Sequence, residues 1–224
     1  MLEINSWKIH LGAVHCLVTT GPTIEPLDEV RRFTNHSTGR LGCELTDALT
    51  RGGHQVTLLL SKTASHHPRQ KKAHIIAFST TADLRHQLRA AQSDTIKAVF
   101  HVAAVSDYRV SCIRNAKTGS KLNTGKISSQ KGPITVELTP TPKIIRQLHR
   151  WYPKAKIIGW KYEVDGNREN AIAVARDQIK RCRTNACVAN GPGYGEGFAL
   201  VSADGVTHSP NVTTLLKQLV KFLQ

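Results

Sequence analysis

Two stretches of the sequence gather side chains suited to binding anions. Between Thr20 and Thr38 the chain reads TGPTIEPLDEVRRFTNHST, followed by Gly39-Arg40-Leu41-Gly42 and an apolar periodic run. Arg31, Arg32, Asn35, His36, Ser37, Thr38 and Gly39 therefore precede a predicted helix, whose unpaired N–H groups favour a negative ligand. Capping of that helix by Ser37 or Thr38 is an equally ordinary reading. The second stretch begins with His101–Tyr108, HVAAVSDY, in which Asp107 follows a buried strand. From Arg109 to Gly132 there is no acidic residue, while Arg109, Arg114, Lys117, Lys121, Lys126 and Lys131 supply positive charge. Gly119, Gly125 and Gly132 add backbone freedom. A basic flap beside a cleft suits a polyphosphate; a solvated loop is the alternative.

The elements that must position these stretches alternate. Strands are predicted at Val14–Thr19, Gln55–Leu60, His74–Phe78, Ala98–Val102, Ile134–Leu138, Lys156–Trp160 and Ala186–Ala189. Helical periodicity covers Arg40–Arg51, Thr81–Gln92, Lys143–Trp151, Asn167–Arg183 and Val212–Leu223, the last capped by Asn211. Asp204-Gly205 signals a hairpin joining Ala199–Val201 to Val206–His208. Residues 109–132 read as irregular. This order predicts an α/β, Rossmann-like three-layer fold with a mostly parallel sheet and a flexible basic lid loop. One domain is expected over residues 1–224, with an N-terminal extension at 1–12 and the lid at 109–132. Ligands of such sheets lie beyond the carboxyl ends of the strands, which directs attention to both long stretches. The first lacks G-x-G-x-x-G spacing, which argues against a nicotinamide cofactor.

The formal charge is +15 and the sequence pI about 9.9, so anionic partners are favoured. That charge runs along the whole chain, aromatic content is 5%, and neither a ribonucleoprotein aromatic motif nor a zinc finger is present. No specific nucleic-acid target is therefore expected, although a basic nucleic-acid-binding protein remains the rival reading. The five cysteines lack metal or redox spacing and fit a reduced, cytoplasmic protein. No apolar run approaches the roughly 20 residues of a membrane span, so no membrane partner is expected.

The first stretch resembles the phosphopantothenoylcysteine synthetases, which carry a TxGGTxExID-xVRxIxNxSSGxxG pattern after their first strand. Thr20-Gly21-Pro22-Thr23, Glu25-Pro26-Leu27-Asp28, Val30-Arg31, Asn35-His36-Ser37-Thr38-Gly39 and Gly42 fall in its register. Ala103-Ala104-Val105-Ser106-Asp107-Tyr108, Gly125-Lys126-Ile127-Ser128, Leu138-Thr139-Pro140-Thr141-Pro142-Lys143-Ile144, Ile158-Gly159-Trp160 and Val188-Ala189-Asn190 resemble later family segments in the same order. The spellings are most similar to monofunctional bacterial members. The chain departs from the pattern in three ways. Trp160 replaces a phenylalanine, Gly191 stands where the family has an aspartate, and Gln178 and Cys182 occupy basic positions of the penultimate helix.

The resemblance implies a ligase. The carboxylate of 4′-phosphopantothenate would attack the α-phosphate of CTP or ATP, and cysteine would then displace the nucleotide. It implies Mg²⁺ accompanying the nucleotide, and a homodimer. Asn35 would hold the acyl-nucleotide, and Arg31 would grip the phosphate of phosphopantothenate, with Ser37, Thr38 and Gly39 completing that site. Lys126 would close over the triphosphate. Ala103, Ala104 and Asp107 would meet the nucleotide, with Thr139, Thr141, Pro142 and Trp160 framing base and ribose. His36 reads as a local structural partner. A non-catalytic relative that only binds nucleotide remains the other alternative.

Overall fold

The computed structural model describes residues 12–122 and 125–223. All but the last residue of the expected N-terminal extension lies outside these. In chain order the elements are β1 (His15–Thr20), β2 (Ile24–Pro26), β3 (Arg32–Thr34), α1 (Arg40–Arg51), β4 (Gln55–Ser61), β5 (His74–Phe78), α2 (Thr81–Ala90), β6 (Ile96–His101), β7 (Tyr108–Asn115), β8 (Ile134–Pro140), α3 (Ile145–Trp151), β9 (Lys156–Tyr162), α4 (Arg168–Cys182), β10 (Ala186–Asn190), β11 (Phe198–Ser202), β12 (Gly205–Ser209) and α5 (Val212–Lys221).

Eight strands form the central sheet in the order β12-β11-β10-β9-β6-β1-β4-β5. The run from β10 to β5 is parallel, and the β11–β12 hairpin adds an antiparallel edge. Alternation along each strand sorts side chains onto two faces. Cys16, Val18, Leu58, Phe100, Ile158 and Val188 pack with Leu45 and Leu49 of α1 and Leu215 and Leu219 of α5. Leu17, Leu59, Val99 and Ile157 pack with Leu84 and Leu88 of α2 and Leu148 of α3. Ala171 and Ala175 place α4 over Cys187 and Ala189 on that second face. The expected three-layer α/β, Rossmann-like architecture is present. Among the described residues no helix is long and apolar enough to cross a membrane.

Caps set the helix starts. Thr80 accepts from the Asp83 amide at 3.0 Å, and Asn211 from the Thr214 amide at 2.9 Å. Asn167 and Asn170 form a reciprocal capping box on α4. Helix α1 differs: Gly39 is its N-cap, left-handed at φ 79°, and contributes no side-chain hydrogen bond. The expected cap from Ser37 or Thr38 is reduced to one long contact, Thr38 Oγ1 accepting from the Arg40 amide at 3.4 Å.

Two ribbons stand apart from the central sheet. β2 pairs antiparallel with β3 inside the first long loop, and β7 with β8. Ile134–Leu138 is thus a strand, but of a separate ribbon. Residues 108–115, read as mostly irregular from sequence, form its other half. Neither β3 nor β7 shows a clean inside–outside alternation, because both faces are largely open to solvent.

One close approach fixes α1 against β1. A Cβ on Gly42 would fall 2.3 Å from both Cβ and Oγ1 of the buried Thr20. Gly42→Ala is expected to cost about 1–3 kcal/mol through overpacking, lowering the melting midpoint by roughly 3–10 °C. A calorimetric scan with an unchanged midpoint would show that α1 adjusts freely.

Candidate functional site

From β1 the chain winds outward through β4 and β5, then returns to β6 on the other side of β1. The β1–β6 boundary is therefore the switch point, where a crevice opens at the strand ends. Backbone pairing runs past those ends. The Val102 amide donates to Thr19 O at 3.1 Å, Ala104 to Gly21 O at 3.0 Å, and Thr23 to Ala104 O at 3.0 Å. Gly21 is required here, since φ is 85° and a Cβ would sit 2.6 Å from Ser61 Cβ. The Thr23 hydroxyl accepts from the Ser106 amide at 2.8 Å, and buried Glu25 accepts from the Thr81 amide at 2.9 Å. Asn35 closes the turn by donating its amide to Ala104 O at 3.1 Å.

The crevice is a cavity of about 930 Å³. Its walls include Asn35, Ser37, Thr38 and Gly39 from the first loop, Ala103, Ala104 and Asp107 from the second, and Thr141, Pro142 and Trp160. Arg31, Lys126 and Thr139 do not line it. Thr141 is seated by its hydroxyl donating to Ser106 O at 2.5 Å and its amide to Asp107 O at 2.8 Å. Thr139 pairs with Arg109 in the ribbon.

Strand parity divides the cavity. On the α1/α5 face, Leu41, Val102, Trp160, Phe198 and Val212 make an apolar wall packed against that core. On the α3/α4 face, Arg146, Lys161 and Arg181 line it, with Lys143 at the start of α3. Most of these cations are partly neutralised: Arg181 pairs with Asp177 at 2.8 Å, Lys161 with Glu163 at 3.5 Å, and Lys143 with Asp107. Arg146 instead hydrogen-bonds the Cys182 thiol, which burial keeps protonated by raising its pKa. Gln178 donates to Cys187 Sγ at 3.1 Å. Across the cavity, α1 has no acidic residue in its first turn, so its positive end favours an anion. Two buried wall atoms, Trp160 Nε1 and Asn190 Oδ1, have no hydrogen-bond partner among the described residues. Apolar wall, cationic wall and helix N-terminus together suit a ligand with a flat apolar part and several anionic oxygens.

Arg31 and the Lys126 segment meet outside the cavity. Arg31 pairs with Asp28 at 2.7 Å and donates to Ile127 O at 2.5 Å. Asp28 also accepts the Ile127 amide at 3.2 Å, and the Glu29 amide donates to Gly125 O at 2.8 Å. Ile127 is buried, while Lys126 is exposed. Gly125 and Ile127 are thereby stitched to the tip of the first loop. The Arg31 amide chiefly, then those of Val30 and Ile127 and the Arg31 side chain, hold the Asp28 carboxyl below its ordinary value despite desolvation.

Gly191, which replaces an aspartate of the resembled pattern, has φ 114°, and a Cβ there would lie 2.4 Å from Glu163 O. Its loop supports the structure. The Gly193 amide donates to Glu163 O at 3.0 Å, and buried Tyr194 stacks on His208 beneath Arg168. His101, which no sequence motif marks, closes β6 and lines the cavity. A single histidine in an apolar strand carries no motif; its position immediately before the pocket-forming Val102–Ala104 turn was the available signal. Burial lowers its pKa to about 4, so it is neutral at physiological pH.

Fold and crevice define a Rossmann-like α/β domain with a cavity at the strand ends. Residues 11–215 match the family described as the DNA/pantothenate metabolism flavoprotein C-terminal domain. The chain belongs to that family. It is 32% identical over 188 residues to the coenzyme A biosynthesis bifunctional protein CoaBC of Thermococcus kodakarensis, covering 82% of this chain and 43% of that protein. Against the Bacillus subtilis protein of the same name, identity is 29% over 193 residues, 86% of this chain and 45% of the other. The chain thus spans under half the length of these curated relatives. The structure of the DNA/pantothenate metabolism flavoprotein from Streptococcus pneumoniae superposes with a TM-score of 0.84 at 27% identity, covering 95% of this chain and 99% of that one.

The stitch gives a testable consequence. A carboxylate with a depressed folded pKa stabilises its contacts above its unfolded value, about 3.8 here, and that support is lost as pH falls further. Asp28→Asn should lower the protection factor of the Ile127 amide at neutral pH, and in the wild type that protection factor, corrected for the intrinsic exchange rate, should fall as pH drops below about 4. Unchanged protection in Asp28→Asn would show that other contacts hold this segment.

Proposed function

We propose that this chain is a phosphopantothenate–cysteine ligase, using CTP or ATP to activate 4′-phosphopantothenate and joining it to cysteine in coenzyme A biosynthesis. The observation that carries this reading is the switch-point cavity, where Asn35 bridges to Ala104 between an apolar wall and a cationic wall. The family match and relatives named for coenzyme A biosynthesis support it.

In the first step a carboxylate oxygen of phosphopantothenate attacks the α-phosphorus, and pyrophosphate leaves. In the second, the cysteine amine attacks the acyl carbon, the acyl–oxygen bond breaks, the nucleoside monophosphate departs and the amine proton passes to water. No protein nucleophile is required, so positioning and charge stabilisation do the work. Trp160 and its apolar neighbours take the base. Arg146, Lys161 and Arg181 take phosphates, supplying on α3, β9 and α4 the charge that Gln178 and Cys182 do not. The α1 N-terminus with Ser37, Thr38 and Gly39 faces the acid substrate. Asn35 holds the acyl-nucleotide without adding charge. Lys126 and Arg31 act from the stitched loop and lid, and reach ligand only if that pair moves over the cavity.

Magnesium fits as a companion of the nucleotide. The carboxylates lining the cavity, Glu44, Asp107 and Asp177, are each ion-paired, and the described residues contain no cluster of three metal-ligating side chains. Such an ion is held largely by phosphates and water, where it lowers the charge on the leaving pyrophosphate.

The reading includes a homodimer. Val30 and Phe33 on the first loop, and Tyr108 and Leu138 on the ribbon, are exposed apolar side chains, and β2 lies beside β7. Sedimentation should give the mass of two chains, and Phe33→Asp should shift the protein toward one. A wild-type monomer at micromolar concentration would remove the dimer from the account.

Pyrophosphate release with magnesium, 4′-phosphopantothenate and either nucleotide tests the activity. Release is expected to require phosphopantothenate, and product to require cysteine. Asn35→Ala should lower turnover about 10²–10³-fold while leaving the fold intact. Folded protein that releases no pyrophosphate with either nucleotide would refute the ligase reading.

A further inference from the structure

His101 is 94% buried, being 6% exposed, yet it forms part of the cavity wall. Its Nδ1 lies 2.9 Å from the hydroxyl of Thr19, a residue with no exposure to solvent. The same hydroxyl accepts the Ala103 amide at 3.3 Å. Its hydrogen has one acceptor among the described residues, His101 Nδ1. If Nδ1 carried the ring proton instead, the Thr19 hydroxyl hydrogen would be buried without a partner, which folded proteins avoid. Thr19 therefore donates to Nδ1, and the neutral ring keeps its proton on Nε2. That nitrogen has no hydrogen-bond partner among the described residues, and His101 is a residue of the cavity wall.

We propose that His101 is a ligand-binding residue, held by Thr19 as the Nε2–H tautomer and donating that hydrogen bond to an anionic oxygen of the bound substrate. The assignment rests on the ligase reading and adds to it a donor at the carboxyl end of β6, one position before the turn that holds Ala103 and Ala104. A neutral donor suits this place because it orients an anionic oxygen without adding a formal charge that would tie the leaving phosphate to the protein. The acceptor is a phosphoryl oxygen of the nucleotide or an oxygen of phosphopantothenate. Thr19 acts as a positioning residue.

Long-range ¹H–¹⁵N correlation of ¹⁵N-histidine-labelled protein reads the tautomer, with His101 identified by the signal lost in His101→Gln. The expected spectrum shows an unprotonated Nδ1 and a protonated Nε2 from pH 8 down to about 5. In Thr19→Val the ring should lose that fixed tautomer. A protonated Nδ1 in the wild type would overturn the proposal. Calorimetric titrations with inorganic pyrophosphate and with 4′-phosphopantothenate then identify the acceptor. His101→Leu should weaken one of them about 10–100-fold, the range for a hydrogen bond to a charged group, and His101→Gln should recover most of the loss. Weakening confined to pyrophosphate assigns the donor to the nucleotide phosphates; weakening confined to phosphopantothenate assigns it to the acid. Equal affinity of His101→Leu and wild type for both ligands would overturn the proposal alone. Failure of wild-type protein to bind either would overturn the ligase reading together with it. Should His101→Leu not fold, a wild-type Nε2–H signal unmoved by saturating amounts of either ligand carries the negative result.

Discussion

Three backbone hydrogen bonds beyond the ends of β1 and β6 organise this molecule. Had the two strands separated at Thr19 and His101, each loop would be an independent excursion. Instead Gly21–Thr23 and Val102–Ala104 continue as paired backbone, and both long loops leave the sheet from one rigid point. Thr23 and Glu25 tie that point to Ser106 and to the start of α2. Asn35 returns to it after the β2–β3 excursion. A loop of this length would otherwise carry a large ordering cost; pinned at both ends, it presents Asn35 and the α1 N-terminus at fixed positions.

Charge is distributed with the same economy. The +15 of the chain is not a uniform field, because the cations at the cavity are individually paired or hydrogen-bonded. Arg181, Lys161 and Lys143 each keep a carboxylate partner, and Arg146 rests on a thiol. Pairing of this exposed kind is weak, so an incoming polyphosphate can compete for these side chains without first desolvating a buried charge. Arg31 differs, since its partner Asp28 has a buried side chain and is bonded to the Ile127 amide. That guanidinium fastens the tip of the first loop to the Ile127 segment.

Much of the architecture was legible because burial is so complete. Val18 and Phe100 on one face and Leu17 and Val99 on the other leave strand and helix periodicity unmistakable, and Asn211 and Asp204-Gly205 marked their boundaries correctly. The ribbons were not legible. β3 and β7 are solvated on most positions, so no apolar alternation announces them, and their pairing is decided by partners elsewhere in the chain. At the site, Asn35, Ala103 and Asp107 could be named because they sit in long motifs. Arg146, Lys161 and Arg181 could not, since three ordinary basic residues become one wall only after α3, β9 and α4 pack. His101 became visible only through its bond to Thr19, a partner 82 positions away. The glycine at 191, a departure in sequence, turned out to be a steric requirement of the Glu163 backbone.

The central claim is that the β1–β6 switch point holds nucleotide and acid substrate together. A crystal structure of the protein soaked with CTP or ATP and 4′-phosphopantothenate, in the absence of cysteine, tests it directly. The account predicts an acyl-nucleotide across the ends of β1 and β6, with the base against Trp160, phosphate oxygens toward Arg146 and Arg181, and the Asn35 amide within hydrogen-bond reach. Nucleotide density at any other place on the protein, with this cavity filled only by solvent, would contradict it.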